Sequence, residues 1–103
     1  MSDLKNVTVI PRANIYYDGS VTSRTVILPD GSRKTLGIMQ PGEYSFDTAS
    51  REVMEIMTGE ARVLLPGEVE WKTCGEGETF EVEANSSFRI STDGVLDYCC
   101  SYE

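Results

Sequence analysis

The chain contains no histidine. Imidazole is the commonest protein ligand for borderline metals and the side chain that titrates nearest neutral pH. Chemistry here must therefore come from carboxylates, hydroxyls, guanidinium groups and the backbone. Basic residues are also scarce, with nine Lys and Arg against seventeen Asp and Glu and a net charge of -8. That balance argues against a nucleic-acid-binding surface, because phosphate backbones attract basic proteins. It suits solubility, and it means that an anionic substrate needs a locally positive spot. Long apolar runs are missing. The opening MSDLKNVTVIPR has no secretory signal, and no segment approaches the length of a membrane helix. A cytoplasmic protein that binds neither nucleic acid nor membrane is expected. The three cysteines, Cys74, Cys99 and Cys100, are an odd number, which suits neither a disulfide framework nor, without histidine, a zinc site. Buried thiols acting as small core hydrophobes are expected, with Cys99 and Cys100 on opposite faces of a strand.

Helix signals are nearly absent too. No segment keeps apolar residues at i, i+3, i+4 and i+7 for more than a turn. Residues 48–57 come nearest, and Met54, Ile56 and Met57 there suit a strand as well. What the chain does have is turns: Asp18-Gly19, Asp30-Gly31, Pro41-Gly42, Pro66-Gly67, Gly75-Glu76-Gly77 and Asp93-Gly94. Asp-Gly favours tight hairpins because glycine takes a positive φ without steric cost. Short alternating runs lie between the turns, the pattern of a β-sandwich or barrel. The 103 residues argue for one domain. The expectation from this pattern is a single all-β domain, a sandwich or barrel.

Alternation assigns faces. Over 43–48, Tyr44, Phe46 and Thr48 point one way and Glu43, Ser45 and Asp47 the other. Phe80 and Val82 share an inner face over 78–83. Phe88 and Ile90 do so over 86–92, opposite Ser87, Arg89 and Ser91. Over 96–102, Leu96, Tyr98, Cys100 and Tyr102 lie together. The strand over 52–57 has Glu52, Met54 and Ile56 on one face and Val53, Glu55 and Met57 on the other. Both faces are mostly apolar, so each places a carboxylate in a costly setting, where it must be paired, protonated or used.

The order Pro41-Gly42, Glu52, six residues, Gly59-Glu60, and later Gly77 leading to Phe88 resembles the outline of the two cupin motifs. Positions that hold metal-binding histidines in cupins fall on Thr48, Ser50 and Phe88. The spacing between Ser50 and Glu52 is shorter than the pattern. The strings TLGIMQPGEYSFDTASREVMEIMTGEARVLLPGEVEW, GETFEVEANSSF and YCCSY more specifically resemble the small single-domain cupins of the pyrimidine/purine nucleoside phosphorylase family. The resemblance covers residues 35–102 well and the first thirty or so residues loosely, and it implies an all-β cupin jelly roll with 35–102 as the core and 1–34 as N-terminal strands. It implies phosphorolysis of purine and pyrimidine nucleosides to free base and ribose 1-phosphate. Phosphate is then a co-substrate and no cofactor or metal is expected.

Under that resemblance Glu52 occupies the place of a cupin's acidic ligand. Its side chain is expected in the barrel, where it accepts bonds from ribose hydroxyls or, if protonated, donates to the base. Tyr44 and Thr48 share the inward face and offer hydroxyls to phosphate or ribose. Met54 and Phe88 are expected as an apolar wall against the base, with Phe80 in the core. No phosphate-binding glycine loop is present, and an all-β chain offers few helix amino termini to an anion. Arg33, beside Ser32 and Thr35, is the first candidate for phosphate, ahead of Arg51 and Arg89. Two other readings fit the same residues: a metal-free cupin that binds a sugar- or nucleoside-like ligand without cleaving it, and a structural dimer with a filled barrel. A homodimer is expected in any case. Apolar Val53 and Met57 occupy a second face, and the strands over 7–10 and 21–28 leave an open sheet edge that favours pairing.

Overall fold

The computed structural model describes residues 2–103. They form ten strands: β1 (Thr8–Tyr16), β2 (Val21–Ile27), β3 (Arg33–Met39), β4 (Gly42–Asp47), β5 (Glu52–Thr58), β6 (Ala61–Leu64), β7 (Lys72–Cys74), β8 (Thr79–Val82), β9 (Ser87–Thr92) and β10 (Leu96–Tyr102). A six-stranded sheet in the order β1-β2-β3-β10-β5-β8 faces a four-stranded sheet in the order β4-β9-β6-β7. Every pairing is antiparallel. This is the all-β, jelly-roll arrangement of a cupin. The only helical element among the described residues is a single 3-10 turn, Tyr17–Gly19, and no helix is long and apolar enough to cross a membrane.

The inner faces match the alternation. Ile56, Val63, Val82, Ile90 and Leu96 are essentially inaccessible to solvent and sit in one cluster between the sheets. Phe46, Leu65, Phe80 and Tyr102 pack around it, partly buried. All three cysteines are buried and unpaired. Cys100 belongs to the core cluster, whereas Cys99 faces the other way, level with Leu36 and Glu55. Gly59 lets β5 turn into β6. Its φ is +96°, and a Cβ there would lie 2.7 Å from the Val95 carbonyl oxygen.

One local expectation needs correction. The first strand does not end near residue 10 but continues to Tyr16, with a register irregularity between Ile10 and Asn14. Pro11 lies inside that break; proline has no N–H for the ladder and is tolerated on an edge strand such as β1. The β1–β2 turn forms around Asp18-Gly19 as expected, closed by the Ser20 N–H donating to the Tyr17 carbonyl at 3.0 Å. Tyr17 and Asp18 both take left-handed conformations, at φ 52° and 54°.

Candidate functional site

Towards one end the two sheets part and leave a cavity of about 280 Å³. The six-stranded sheet supplies its polar side. β5 carries Glu52, β3 carries Arg33 and Thr35, and β10 carries Tyr98, Cys100 and Tyr102. Pairing of β10 with β5 sets Tyr102 opposite Glu52 and Cys100 opposite Met54. The apolar side is formed by Phe46 and Phe88 from the four-stranded sheet, with Tyr16, Met39 and Met54 closing around them. Phe46 and Phe88 lie 5.9 Å apart, and Tyr16 meets Phe46 edge-on at 5.9 Å. Two larger depressions, of about 500 and 570 Å³, lie on the outer side of the six-stranded sheet.

Glu52 is half-buried, and its carboxyl accepts a hydrogen bond from the Cys100 thiol at 3.4 Å. Burial holds its pKa above the usual carboxylate value, opposed by the Cys100 bond and by the Arg33 charge. The same burial, with Glu52 adding repulsion, pushes the Cys100 thiol up to about 12. At neutral pH Cys100 is therefore a proton donor to Glu52 and not a thiolate. Burial likewise raises the phenols of Tyr98 and Tyr102, which keep their protons at neutral pH. The Tyr102 hydroxyl lies 3.1 Å from Thr35 Oγ1.

Tyr98 needs Gly37. The two pair directly across β10 and β3, and the Tyr98 ring crosses the place where a side chain would stand. A Cβ on residue 37 would lie 2.5 Å from the Tyr98 hydroxyl and 2.5 Å from the Thr22 carbonyl oxygen. Behind Tyr98, Ser23 belongs to a buried polar network in which Asn14 Nδ2 donates to Ser23 Oγ and Thr25 Oγ1, both at 3.2 Å.

Arg33 supplies the cationic spot. Its guanidinium carbon sits 4.1 Å from the centre of the Tyr102 ring, a cation–π contact. The other cavity-facing strands bring no second arginine to the site. Arg51 pairs with Glu81 and Glu103, Arg62 with Asp93, and Arg89 with Glu43. No carboxylate among the described residues forms an ion pair with Arg33. Ser32, the suggested helper of Arg33, is instead turned to Asp30: its N–H and hydroxyl donate to Asp30 Oδ1 at 2.9 and 2.6 Å.

Glu52, Arg33, Met54 and Phe88 thus surround one cavity, while Tyr44 and Thr48 do not line it. The Tyr44 hydroxyl donates to the Gln40 carbonyl at 2.7 Å, closing the turn before β4. The Thr48 hydroxyl donates to the Glu83 carbonyl at 2.6 Å and accepts the Ser86 N–H at 3.1 Å. Both side chains point inward as their alternation requires, yet their polar tips are engaged by backbone. Asp47 reaches the cavity rim, but its carboxylate accepts from Ser87 Oγ at 2.5 Å. Tyr98, Cys100 and Tyr102 join the site beyond the residues expected from the sequence. Alternation puts the three on one face, and the β10–β5 pairing sets that face beside Glu52.

The model of the family described as pyrimidine/purine nucleoside phosphorylase matches residues 11–102. A protein of that name from Syntrophotalea carbinolica is 62% identical over 99% of this chain and 98% of its own length. One from Geobacter sulfurreducens is 56% identical over the same shares of both chains. Among solved structures, a protein of unknown function from Acinetobacter sp. ADP1 superposes with a TM-score of 0.95 at 42% identity, covering 98% of each chain. A putative ethanolamine utilization protein from Salmonella typhimurium superposes at 0.71 with 13% identity, over 87% of this chain and 76% of that one. That last likeness concerns the fold alone.

Proposed function

Because the chain belongs to the pyrimidine/purine nucleoside phosphorylase family, we propose that it transfers the pentosyl group of purine and pyrimidine nucleosides to phosphate. The products are free base and ribose 1-phosphate. In this reaction a phosphate oxygen forms the new bond to C1' while the C1'–N bond breaks. The base departs with the bonding electron pair and takes up a proton. The transition state carries positive charge on the sugar, as in other glycosyl transfers.

The division of the cavity supports this reading more than any other observation. Phe46, Phe88 and Met54 offer the base an apolar surface, with Asp47 at its rim already bonded to Ser87. Across the cavity stand the Glu52 carboxylate, the Arg33 guanidinium and neutral hydroxyls. Glu52 acts as the carboxylate: it accepts bonds from the ribose hydroxyls and its charge stabilises the oxocarbenium-like sugar. Cys100 donates to one Glu52 oxygen and orients the group. Arg33 holds phosphate, with the hydroxyls of Thr35 and Tyr102 as neutral donors beside it. Tyr44 and Thr48 have structural roles in this scheme. Three unpaired buried thiols suit the reducing cytoplasm.

The test is direct. Purified protein is incubated with inosine or uridine, with and without phosphate, and free base is measured. Base release that requires phosphate supports the proposal. No release, or release at the same rate without phosphate, overturns it.

A further inference from the structure

One cavity-lining residue, Tyr16, ends β1 at the β1–β2 hairpin, whose conformation is unusual. Tyr17 and Asp18 are consecutive left-handed residues, followed by Gly19 at φ 95°. Glycine and asparagine take that conformation readily, but for a bulky aromatic residue it is a genuine outlier. Such strain persists only where surrounding contacts enforce it, and it gathers at functional sites.

The enforcing contacts are on the opposite sheet. The Tyr17 hydroxyl donates to the Ser45 carbonyl at 2.6 Å and accepts the Ser45 N–H at 2.9 Å. β4 is an edge of the four-stranded sheet, so Ser45 presents both backbone groups on its unpaired side. One phenol thus does for Ser45 what a neighbouring strand would do. The Tyr17 ring also packs against Tyr44 at 5.0 Å and Phe46 at 5.7 Å. A residue of the six-stranded sheet's hairpin is thereby fastened to the rim of the other sheet. The residue before it, Tyr16, lines the cavity and meets Phe46. Tyr16 and Tyr17 are each nearly half exposed, at 45% and 47%, so burial alone does not hold them.

We infer that Tyr17 is a positioning residue for substrate binding: its hydroxyl latches the hairpin to β4 and so holds Tyr16 as the outer wall of the base-binding end. This rests on the nucleoside reading for its kinetic consequences but not for the latch itself. Tyr17→Phe removes only the hydroxyl and keeps the ring contacts. The loss of one or two hydrogen bonds corresponds to roughly a 3- to 10-fold weaker hold on the closed wall. The Michaelis constant for inosine or uridine should rise by about that factor, while kcat and the Michaelis constant for phosphate change less than about twofold.

Two measurements test this. Amide exchange by NMR, without ligand, follows the Ser45 N–H and the amides of residues 16–20. Tyr17→Phe should speed exchange at Ser45 and in the hairpin and leave core strands such as β10 unchanged. Unaltered exchange at Ser45 overturns the latch, whatever the protein's activity. Steady-state kinetics then compare Tyr17→Phe, Tyr16→Ala and the double variant. Tyr16→Ala should raise the nucleoside Michaelis constant, and adding Tyr17→Phe should raise it little further, because both act through one wall. An unchanged nucleoside Michaelis constant in Tyr17→Phe, a loss confined to kcat, or fully additive effects would each overturn the positioning role. Absence of phosphate-dependent base release in the wild-type protein defeats the nucleoside reading alone, and the exchange measurement still decides the latch.

Discussion

Replacing Glu52 with glutamine exchanges one carboxylate oxygen for an amide of nearly equal size, so the cavity keeps its shape. The remaining amide oxygen can still accept the Cys100 thiol, which lies 3.4 Å from the carboxylate in the wild type. Charge is what disappears. If that charge stabilises the oxocarbenium-like sugar, turnover should fall by ~100-fold, the lower end of what a positioned electrostatic contact contributes, or about 2.7 kcal/mol of barrier. The pH dependence gives a second reading. Burial raises the Glu52 pKa, and the active form is the carboxylate. The wild-type rate should therefore rise with pH along an acidic limb that lies above the ordinary carboxylate value of about 4.3, and Glu52→Gln should lack that limb. Stability moves the other way. A carboxyl whose pKa is raised on folding contributes most below its unfolded pKa, and that contribution is lost as pH rises through the folded value. Glu52→Gln should thus melt no lower than wild type at pH 7.5, with its relative advantage shrinking towards pH 4. The assay is phosphate-dependent release of base from inosine and uridine, with Asp47→Asn in parallel. Asp47 is exposed and bonded to Ser87, so its neutralisation should change turnover less than threefold. Equal turnover of Glu52→Gln and wild type would refute the role of Glu52. Equal losses in both variants would show a general charge effect instead.

Arg33→Ala should raise the Michaelis constant for phosphate by ~10- to 100-fold, the range for a hydrogen-bonded charge, with a smaller change for the nucleoside; phosphate titrations at saturating inosine measure it. Thr48→Val should leave turnover within about threefold but cost roughly 1–3 kcal/mol, because the Ser86 N–H loses its acceptor and the Glu83 carbonyl its donor. For a chain this size that is a melting point lower by ~4–8 °C per kcal/mol, read by calorimetry. Light scattering at micromolar concentration should give a dimer mass, since Val9, Ile15 and Ile38 leave apolar surface on the outer side of the six-stranded sheet, at 53%, 66% and 36% exposure. Ile15→Lys on that face should shift the mass towards monomer, and a monomer for the wild type would count against the pairing.

The inner faces of β4, β5, β8, β9 and β10 were legible because a period of two is a local signal and each strand buries one side. Phe88, Ile90 and Tyr98 could be placed inward from their neighbours alone. What a side chain's polar tip touches is a different kind of fact. Tyr44 and Thr48 point inward as read, but Tyr44 finds the carbonyl of Gln40, four residues back, and Thr48 finds Glu83, 35 residues on. Alternation gives direction across a sheet but not depth along it or the partner at the end of the side chain. The cavity itself depends on pairings between distant strands, such as Tyr102 with Glu52 and Tyr98 with Gly37. Those pairings bring a thiol, two phenols and an arginine around one carboxylate.

The hairpin carries the same logic furthest. Asp18-Gly19 announces a turn, and nothing in its composition announces that Tyr17 enters the left-handed region with it. That conformation is unfavourable judged from the hairpin alone. It is sustained by β4, an edge strand of the other sheet, whose Ser45 N–H and carbonyl both meet the Tyr17 phenol. A tyrosine solves two problems at once there: it satisfies a sheet edge that has no neighbour, and it holds the aromatic wall of the cavity in place. Local propensity is violated where the site is built, and the violation is sustained by contacts between elements that alternation along a single strand does not reveal.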